Sequence, residues 1–343
     1  MCEAVYRKIV LTNPSTLMLV FTLSFFMSAF CSLLISKIGS RISLNDNPND
    51  RSSHSIPTPR GGGVGIWIAF LLIGGFTDKN LLFVLATGIV GLLGLLDDRF
   101  NFPSRLRLFV QCILALFAIV VFTELPPSLS KYVIILFWML FITGTANFYN
   151  FMDGINGIAG LTGVVCFGLI AYFSVFIANN REIVFMNVVL AAGCLGFLPF
   201  NFPKARVFMG DVGSVFLGFV FASFVMKLSI TINAFLCLIM FLCMFYADAV
   251  VTIFYRWRNG ENLMESHRRH LYQYLCNELA IPHWKVSSLY AGVQLIFGLL
   301  SLFAYRKGLI WQIIVIGVFG VCFIIIYKSV KKVNPNIYNL NKT

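Results

Sequence analysis

The sequence predicts an all-α fold: a polytopic membrane helix bundle of about eleven transmembrane helices, with its N-terminus outside and its C-terminus cytoplasmic. Three observations predict it. Hydrophobic residues make up 59% of the 343 residues and charged ones 12%, and the mean hydropathy is +0.85. A soluble fold of this size could not cover so much apolar surface, whereas a bilayer accepts it. Uncharged runs recur, among them Leu17–Ile35, Gly61–Thr77, Leu81–Leu96, Tyr132–Met152 and Gly308–Tyr327, close to the roughly 17–25 residues that cross a hydrocarbon core as a helix. Finally, almost every Asp, His, Asn and Gly cluster falls in alternate connections between those runs.

In order, the spans lie near residues 17–36, 61–77, 81–96, 106–123, 132–148, 157–178, 183–200, 212–228, 231–255, 287–304 and 309–327. The first run is too long for the apolar part of a signal peptide, and Lys37 and Arg41 follow it as they would a span ending in the cytoplasm. The runs around 81–122 are short and suit helices packed against protein. Near Lys227 to Asn233 hydropathy alone would allow two spans to be one. Charge separates them: fusing the two would move Arg256–Lys285 to the outer side.

Basic residues also set the orientation. One set of connections, with the C-terminal tail, holds 18 of the 26 Lys and Arg, and the other set holds 8. The richer side is expected to be cytoplasmic. The formal charge of +12 therefore reflects membrane flanks, and no nucleic-acid partner is expected. The nine cysteines mostly sit inside apolar runs without CxxC spacing, as small hydrophobes do. The whole chain reads as one integral membrane domain, residues 1–343. Its inner loops are 37–60, 97–107, 147–156, 200–211 and 256–286.

These loops carry the chemistry. The first runs Asn45 to His54 and then Pro57-Thr58-Pro59-Arg60-Gly61-Gly62-Gly63. Arg51, His54 and the glycines supply donors with little bulk, suited to phosphate oxygens or, equally, to a plain solvated loop. The second opens on Asp97-Asp98-Arg99 at the end of an apolar helix. Paired carboxylates there call for a cation: Mg2+ with substrate phosphates, or otherwise Arg99 or Arg105. In the third, Asn147, Asn150, Asp153 and Asn156 recur every three residues. In a helical turn they would line one face, able to read a uracil or ribose edge and to support a metal.

The fourth loop places Asp211 between Gly210 and Gly213 where a helix begins. As a mere cap it would stabilise by roughly 1 kcal/mol, but the glycines are unnecessary for capping and favour a metal ligand. The fifth reads Glu265-Ser266-His267-Arg268-Arg269-His270, a phosphate-binding composition. Zinc is disfavoured, because no further Cys or His pair completes four ligands. His283 reads as an ordinary loop residue. Asp248, inside the ninth span, must face the bundle; a structural pairing with Arg256 or Arg258 and a functional role are equally open.

Together the five loops resemble the polyprenyl-phosphate N-acetylhexosamine-1-phosphate transferases (glycosyltransferase family 4 type). These include the translocase making the first lipid intermediate of peptidoglycan and the enzymes that start O-antigen and enterobacterial common antigen. The resemblance runs from about Asn45 to Gln273, and NFYNFMDGINGIAG and FNFPKARVFMGDVGS are its most specific parts. DNPNDRSSHSIPTPRGGG and SHRRHLYQ look like the branch that initiates O-antigen or other surface polysaccharides. The last loop lacks both the consecutive His triplet of the peptidoglycan translocases and the HxHH of the common-antigen enzymes, which leaves the sugar donor open.

The resemblance implies catalytic roles for Asp97, Asp98, Asp211, His267 and His270. It implies substrate-binding roles for Arg51, His54, Asn147, Asn150, Asp153, Asn156 and Arg268, and metal ligation by Asp211, Asn150 and Asp97. The implied cofactor is Mg2+, with Mn2+ as a substitute. The implied partners are a UDP-N-acetylated sugar, polyprenyl (undecaprenyl) phosphate and the bilayer of a bacterial inner membrane, and a homodimer is compatible with them.

In that chemistry a lipid phosphate oxygen attacks the β-phosphorus of the UDP-sugar and expels UMP. The lipid phosphate is largely dianionic at neutral pH, because its second pKa is near 6. A base is therefore helpful without being obligatory, and Asp98 is the candidate. Direct attack is preferred to an aspartyl intermediate, which the sequence leaves open. A secondary transporter or lipid flippase is the alternative class. Its marks would be mid-span ionisable residues and broken helices in paired halves, and only Asp248 lies well inside a span.

Overall fold

The structure, a computed structural model, describes residues 13–48, 53, 55–75, 81–122, 130–262 and 268–332. Its helices are α1 (Pro14–Ile38), α2 (Val64–Gly74), α3 (Leu81–Phe100), α4 (Ser104–Phe122), α5 (Ser130–Phe151), α6 (Ile158–Phe176) and α7 (Arg181–Asn201). They continue with α8 (Asp211–Leu228), α9 (Ile232–Ile239), α10 (Cys243–Arg258), α11 (Leu271–Asn277), α12 (His283–Lys307) and α13 (Leu309–Lys332). Among the described residues, ten helical segments are long and apolar enough to cross a membrane. The chain is an all-α, multi-pass membrane protein.

Two expected spans differ in detail. The segment expected at 61–77 is described as a helix only over Val64–Gly74. At 1.5 Å per residue it is about 16 Å long, half a hydrocarbon core. The chain does break at Ser229–Thr231, but the next span is not one straight helix. A 3-10 turn at Met240–Leu242 separates α9 from α10. The break lets aromatic side chains dock in two directions: Phe235 meets Phe137, Trp138 and Phe141 of α5, while Phe241 meets Phe173 of α6.

The centre of the bundle is α8. Every residue of it except Asp211 and Lys227 is buried, as expected of a helix apolar on all sides. It packs chiefly against α3 and α5, with α2, α4, α6 and α9 also touching it. Close approach at one point is set by Gly94 on α3, where a Cβ would lie 2.5 Å from the Asp211 carbonyl oxygen. The most buried helix of the bundle thus delivers its first residue, Asp211, to the end where the polar loops meet.

Backbone pairing joins two of those loops. Strands β1 (Asn45–Asp46) and β2 (Thr58–Pro59) form a short antiparallel pair. The chain then runs alongside the fourth loop: the Phe208 amide donates to the Pro59 carbonyl at 2.8 Å, and the Gly62 amide to the Phe208 carbonyl at 2.8 Å.

Candidate active site

The site begins with the unsatisfied amides that any helix start leaves. Gly210 takes φ +76° just before α8, and a Cβ there would lie 2.5 Å from an Asp98 carboxylate oxygen. Only glycine fits. Asp98, 2% exposed at the end of α3, reaches into that space and accepts from the Asp211 and Val212 amides at 3.0 and 3.2 Å. A carboxylate at the positive end of a helix is electrostatically favourable. Arg60 Nε stands 3.9 Å from the same carboxylate, and its Nη2 donates to Asn101 Oδ1 at 3.0 Å.

Asp97 faces a different group. It accepts from the Phe102 amide at 2.7 Å and from Arg107 Nη1 at 2.7 Å. That same nitrogen donates to Asp211 Oδ2 at 2.8 Å. One guanidinium therefore stands between Asp97 and Asp211. The alternative partners of the acidic pair, Arg99 or Arg105, give way to Arg107 and the α8 amides. The reason is geometric: Arg107 rises on the first turn of α4, directly across from the start of α8. Read from sequence, Arg107 is one basic loop residue among several. The signal that marks it is its place one helical turn into the segment following the aspartates.

The third loop divides. Helix α5 stops at Phe151, so the four polar residues do not share one helical face as expected. Asn147 turns into the bundle and donates to Gln111 Oε1 of α4 and the Thr143 carbonyl, both at 2.7 Å. Asn150 accepts from Ser214 Oγ, on the first turn of α8, at 2.7 Å. Asp153 lies past the helix end. Burial of its carboxyl, followed by the charges of Asp211, Asp98 and Asp46, pushes its pKa well above the usual carboxylate range, so it belongs to the same acidic group. Asn156 Nδ2 donates to the Pro203 carbonyl at 3.4 Å, and its amide to His283 Nδ1 at 3.4 Å. His283 is thus tied to the third loop. Asn201 also links loops: its Oδ1 accepts from the Gly157 amide at 2.7 Å.

Of the fifth loop, His267 lies outside the described residues, as do Arg51 and His54 of the first. Arg268 is exposed. His270 is 2% exposed, with Nδ1 3.5 Å from Asp248 Oδ1. Of the two readings open for Asp248, the pairing with Arg256 or Arg258 does not form. Arg256 turns instead to Glu261, at 3.2 Å, while Asp248 accepts from the Leu271 and Tyr272 amides at 2.7 and 3.1 Å.

Oxygen donors dominate the acidic group. Among the described residues, no three His, Cys, Asp or Glu side chains form a ready metal cluster. Mg2+ usually takes one or two carboxylates and completes its shell with water and substrate phosphate. Asp97 and Asp211 share Arg107, and Asn150 Oδ1 meets Ser214, one turn along α8 from Asp211, so these oxygen donors fit a hard divalent ion. An apolar groove of about 440 Å3 opens between α5, α9, α10 and α13, with Gly144, Phe148, Phe235, Tyr246 and Val250 in its wall. Phe148 sits between Asn147 and Asn150, so the groove adjoins the third loop.

Fold and site together define a multi-pass membrane protein with an acidic, arginine-bridged centre at one end of its bundle. The chain belongs to glycosyl transferase family 4, whose family model matches residues 80–229, a stretch that includes Asp97, Asp98, Arg107, Asn150, Asp153 and Asp211. It is similar to a protein of Bacillus subtilis (strain 168) named "Probable undecaprenyl-phosphate N-acetylglucosaminyl 1-phosphate transferase", 30% identical over 216 residues, covering 57% of this chain and 60% of the relative. It is also similar to an undecaprenyl-phosphate alpha-N-acetylglucosaminyl 1-phosphate transferase of Thermotoga maritima, 30% identical over 192 residues, covering 56% and 60%. A phospho-N-acetylmuramoyl-pentapeptide-transferase of Pelagibacter ubique is 30% identical over 250 residues, covering 57% of this chain and 69% of the relative. The chain spans 60% of the length of each of the first two relatives.

Proposed function

We propose that the chain transfers an N-acetylhexosamine-1-phosphate from a UDP-sugar to polyprenyl phosphate, releasing UMP and starting a lipid-linked glycan. The observation that carries this reading is the meeting of Asp97, Asp98, Asp211, Arg107 and Arg60 in a membrane bundle that also holds an apolar groove. The groove suits a prenyl chain, and the two arginines suit phosphate oxygens. The names of two relatives specify N-acetylglucosaminyl transfer, which makes UDP-N-acetylglucosamine the first donor to test. An O-antigen or other surface polysaccharide is the glycan suggested by the first and last loops.

Both reactants are anionic, so neutralising their charge is the central task. Arg107 and Arg60 donate to the diphosphate oxygens, and the Asp153 and Asn150 side chains orient the nucleotide half. Mg2+, held by Asp211, Asn150 and Asp97, supplies further neutralisation of the diphosphate when bound. The lipid phosphate oxygen forms its bond to the β-phosphorus as the bond to the UMP oxygen breaks. Both Asp98 oxygens already accept helix amides, which favours this direct route over an aspartyl intermediate. Arg268, His267 and His270 hold the lipid or sugar phosphate from the fifth loop.

The site faces the cytoplasm of a bacterial inner membrane in this reading, where UDP-sugars are made. Single-cysteine labelling in a cysteine-free background checks the orientation: positions 55 and 264 should resist a membrane-impermeant reagent in intact cells. For the reaction, purified protein in detergent should release UMP from UDP-N-acetylglucosamine only when polyprenyl phosphate and Mg2+ are both present. A transporter releases none, and no UMP from any UDP-N-acetylated sugar would overturn the proposal.

A further inference from the structure

Asp248 is wholly buried inside α10, yet the chemistry above makes no use of it. Its Oδ1 accepts from the Leu271 amide at 2.7 Å and from Thr252 Oγ1 at 3.2 Å, and stands 3.5 Å from His270 Nδ1. Its Oδ2 accepts from the Tyr272 amide at 3.1 Å and from the Tyr290 hydroxyl of α12 at 2.7 Å. Taking a carboxylate out of water is costly unless donors surround it, and here they do.

The arrangement repeats what Asp98 does for α8. In both cases a buried aspartate on one helix receives the first two amides of another, and the captured start carries site residues: Asp211 in one case, the Arg268–His270 turn in the other. A second contact then sets where that turn stands. The Tyr272 hydroxyl donates to the Phe151 carbonyl at the end of α5, at 2.9 Å. Gly154 lies so close that a Cβ there would meet the Tyr272 ring at 3.0 Å.

We infer that Asp248 is a positioning residue for the transfer reaction: with Tyr290 and Tyr272 it holds the histidine-bearing fifth loop at a fixed place against the Asp153 turn. It touches no reacting atom and acts through His270 and Arg268. The inference rests on the proposed reaction. It adds that the fifth loop's place is set from within the membrane bundle, by a span residue 19 or more positions earlier in the chain.

The test uses the full chain in detergent with three variants, Asp248→Asn, Tyr290→Phe and Tyr272→Phe. Three quantities are read: amide hydrogen exchange across residues 268–272, melting temperature, and kcat and KM for UMP release. The two phenylalanine variants delete one hydroxyl each and keep the ring packing, so they should fold, with a melting temperature lowered by no more than the loss of one hydrogen bond. Exchange at Leu271 and Tyr272 should quicken in Tyr290→Phe and Asp248→Asn. In both Phe variants kcat should fall about tenfold, the scale of one hydrogen bond to a charged or buried partner, with KM for the prenyl phosphate unchanged. Parent-like kcat in both Phe variants overturns the inference, as does a loss that merely follows melting temperature. If the parent releases no UMP, the reaction proposal fails. Unchanged exchange in Asp248→Asn would then still refute the hold on the loop, and faster exchange would uphold it.

Discussion

Replacing Asp98 by asparagine separates a helix-capping role from an acid–base role, because the two have different dependences on pH. Asp98 receives the Asp211 and Val212 amides at 3.0 and 3.2 Å. Hydrogen bonds to a charged group contribute about 1.5–3 kcal/mol each. Asparagine can accept one of the two with its carbonyl, but its NH2 then faces the other amide and leaves a buried donor unsatisfied, at a cost of about 1–3 kcal/mol. A net loss of about 3 kcal/mol, displacing the start of α8 and with it Asp211, corresponds to a rate loss on the order of a hundredfold. Backbone amides do not titrate, so the loss should be uniform across pH. If Asp98 only takes a proton from the lipid phosphate, the loss is confined to below about pH 6, where that phosphate is monoanionic. The assay is a pH–rate profile of UMP release from about pH 5.5 to about pH 9 at saturating Mg2+. Recovery of the parent rate near pH 9 would refute the capping argument.

Gly210→Ala alters no polar side chain, yet it should lower kcat/KM at least tenfold. It forces a Cβ to 2.5 Å from the Asp98 carboxylate at a φ of +76°, a backbone region that costs a non-glycine residue about 1–3 kcal/mol; parent-like kinetics would show that the Asp98 contact is not needed. Arg107→Met should reduce turnover on the order of a hundredfold while tightening Mn2+ binding measured by paramagnetic resonance, because the guanidinium between Asp97 and Asp211 repels a divalent ion. Weaker Mn2+ binding would contradict that electrostatic account. Asp153, with its pKa raised by burial and by Asp211, Asp98 and Asp46, keeps its proton in the metal-free fold to a higher pH than in an unfolded chain. The metal-free fold therefore loses stability as pH rises through that raised value, and Mg2+ affinity rises over the same span. Calorimetry in buffers of different ionisation enthalpy should detect proton release on Mg2+ binding, and its absence would mean that Asp153 is already ionised.

The membrane spans were legible because their cause is local: a run of apolar residues is a span wherever it packs, and the break at Ser229–Thr231 followed from charge. Asp211 at a helix start was legible for the same reason, since Gly210 and Gly213 mark the turn. What sequence did not disclose are partners set by long-range packing. Arg107 meets Asp211 from 104 residues away and Asp98 meets the Val212 amide from 114, and neither spacing leaves a periodic trace. The even spacing of Asn147, Asn150, Asp153 and Asn156 suggested a continuous face, but a helix that ends at Phe151 sends Asn147 into the bundle and Asp153 toward the aspartates. Asp248 had arginines nearby in sequence and its role was open from there; in the fold Arg256 meets Glu261, while the amides of Leu271 and Tyr272 lie within reach of Asp248.

The seam between the first and fourth loops is made of main chain. Arg60 reaches Asp98 because the Pro59 carbonyl, the Phe208 amide and carbonyl and the Gly62 amide interlock, and no side chain takes part in those bonds. Such a seam is indifferent to most substitutions at Thr58 or Phe208, since nearly every residue offers the same amide and carbonyl. Proline is the exception: at 208, 62 or 63 it would remove one of the three donors, the third being the Gly63 amide that meets the Met209 carbonyl. The side chains of the two loops can therefore be exchanged one at a time, with the arginine's station preserved as long as those three positions keep their N–H.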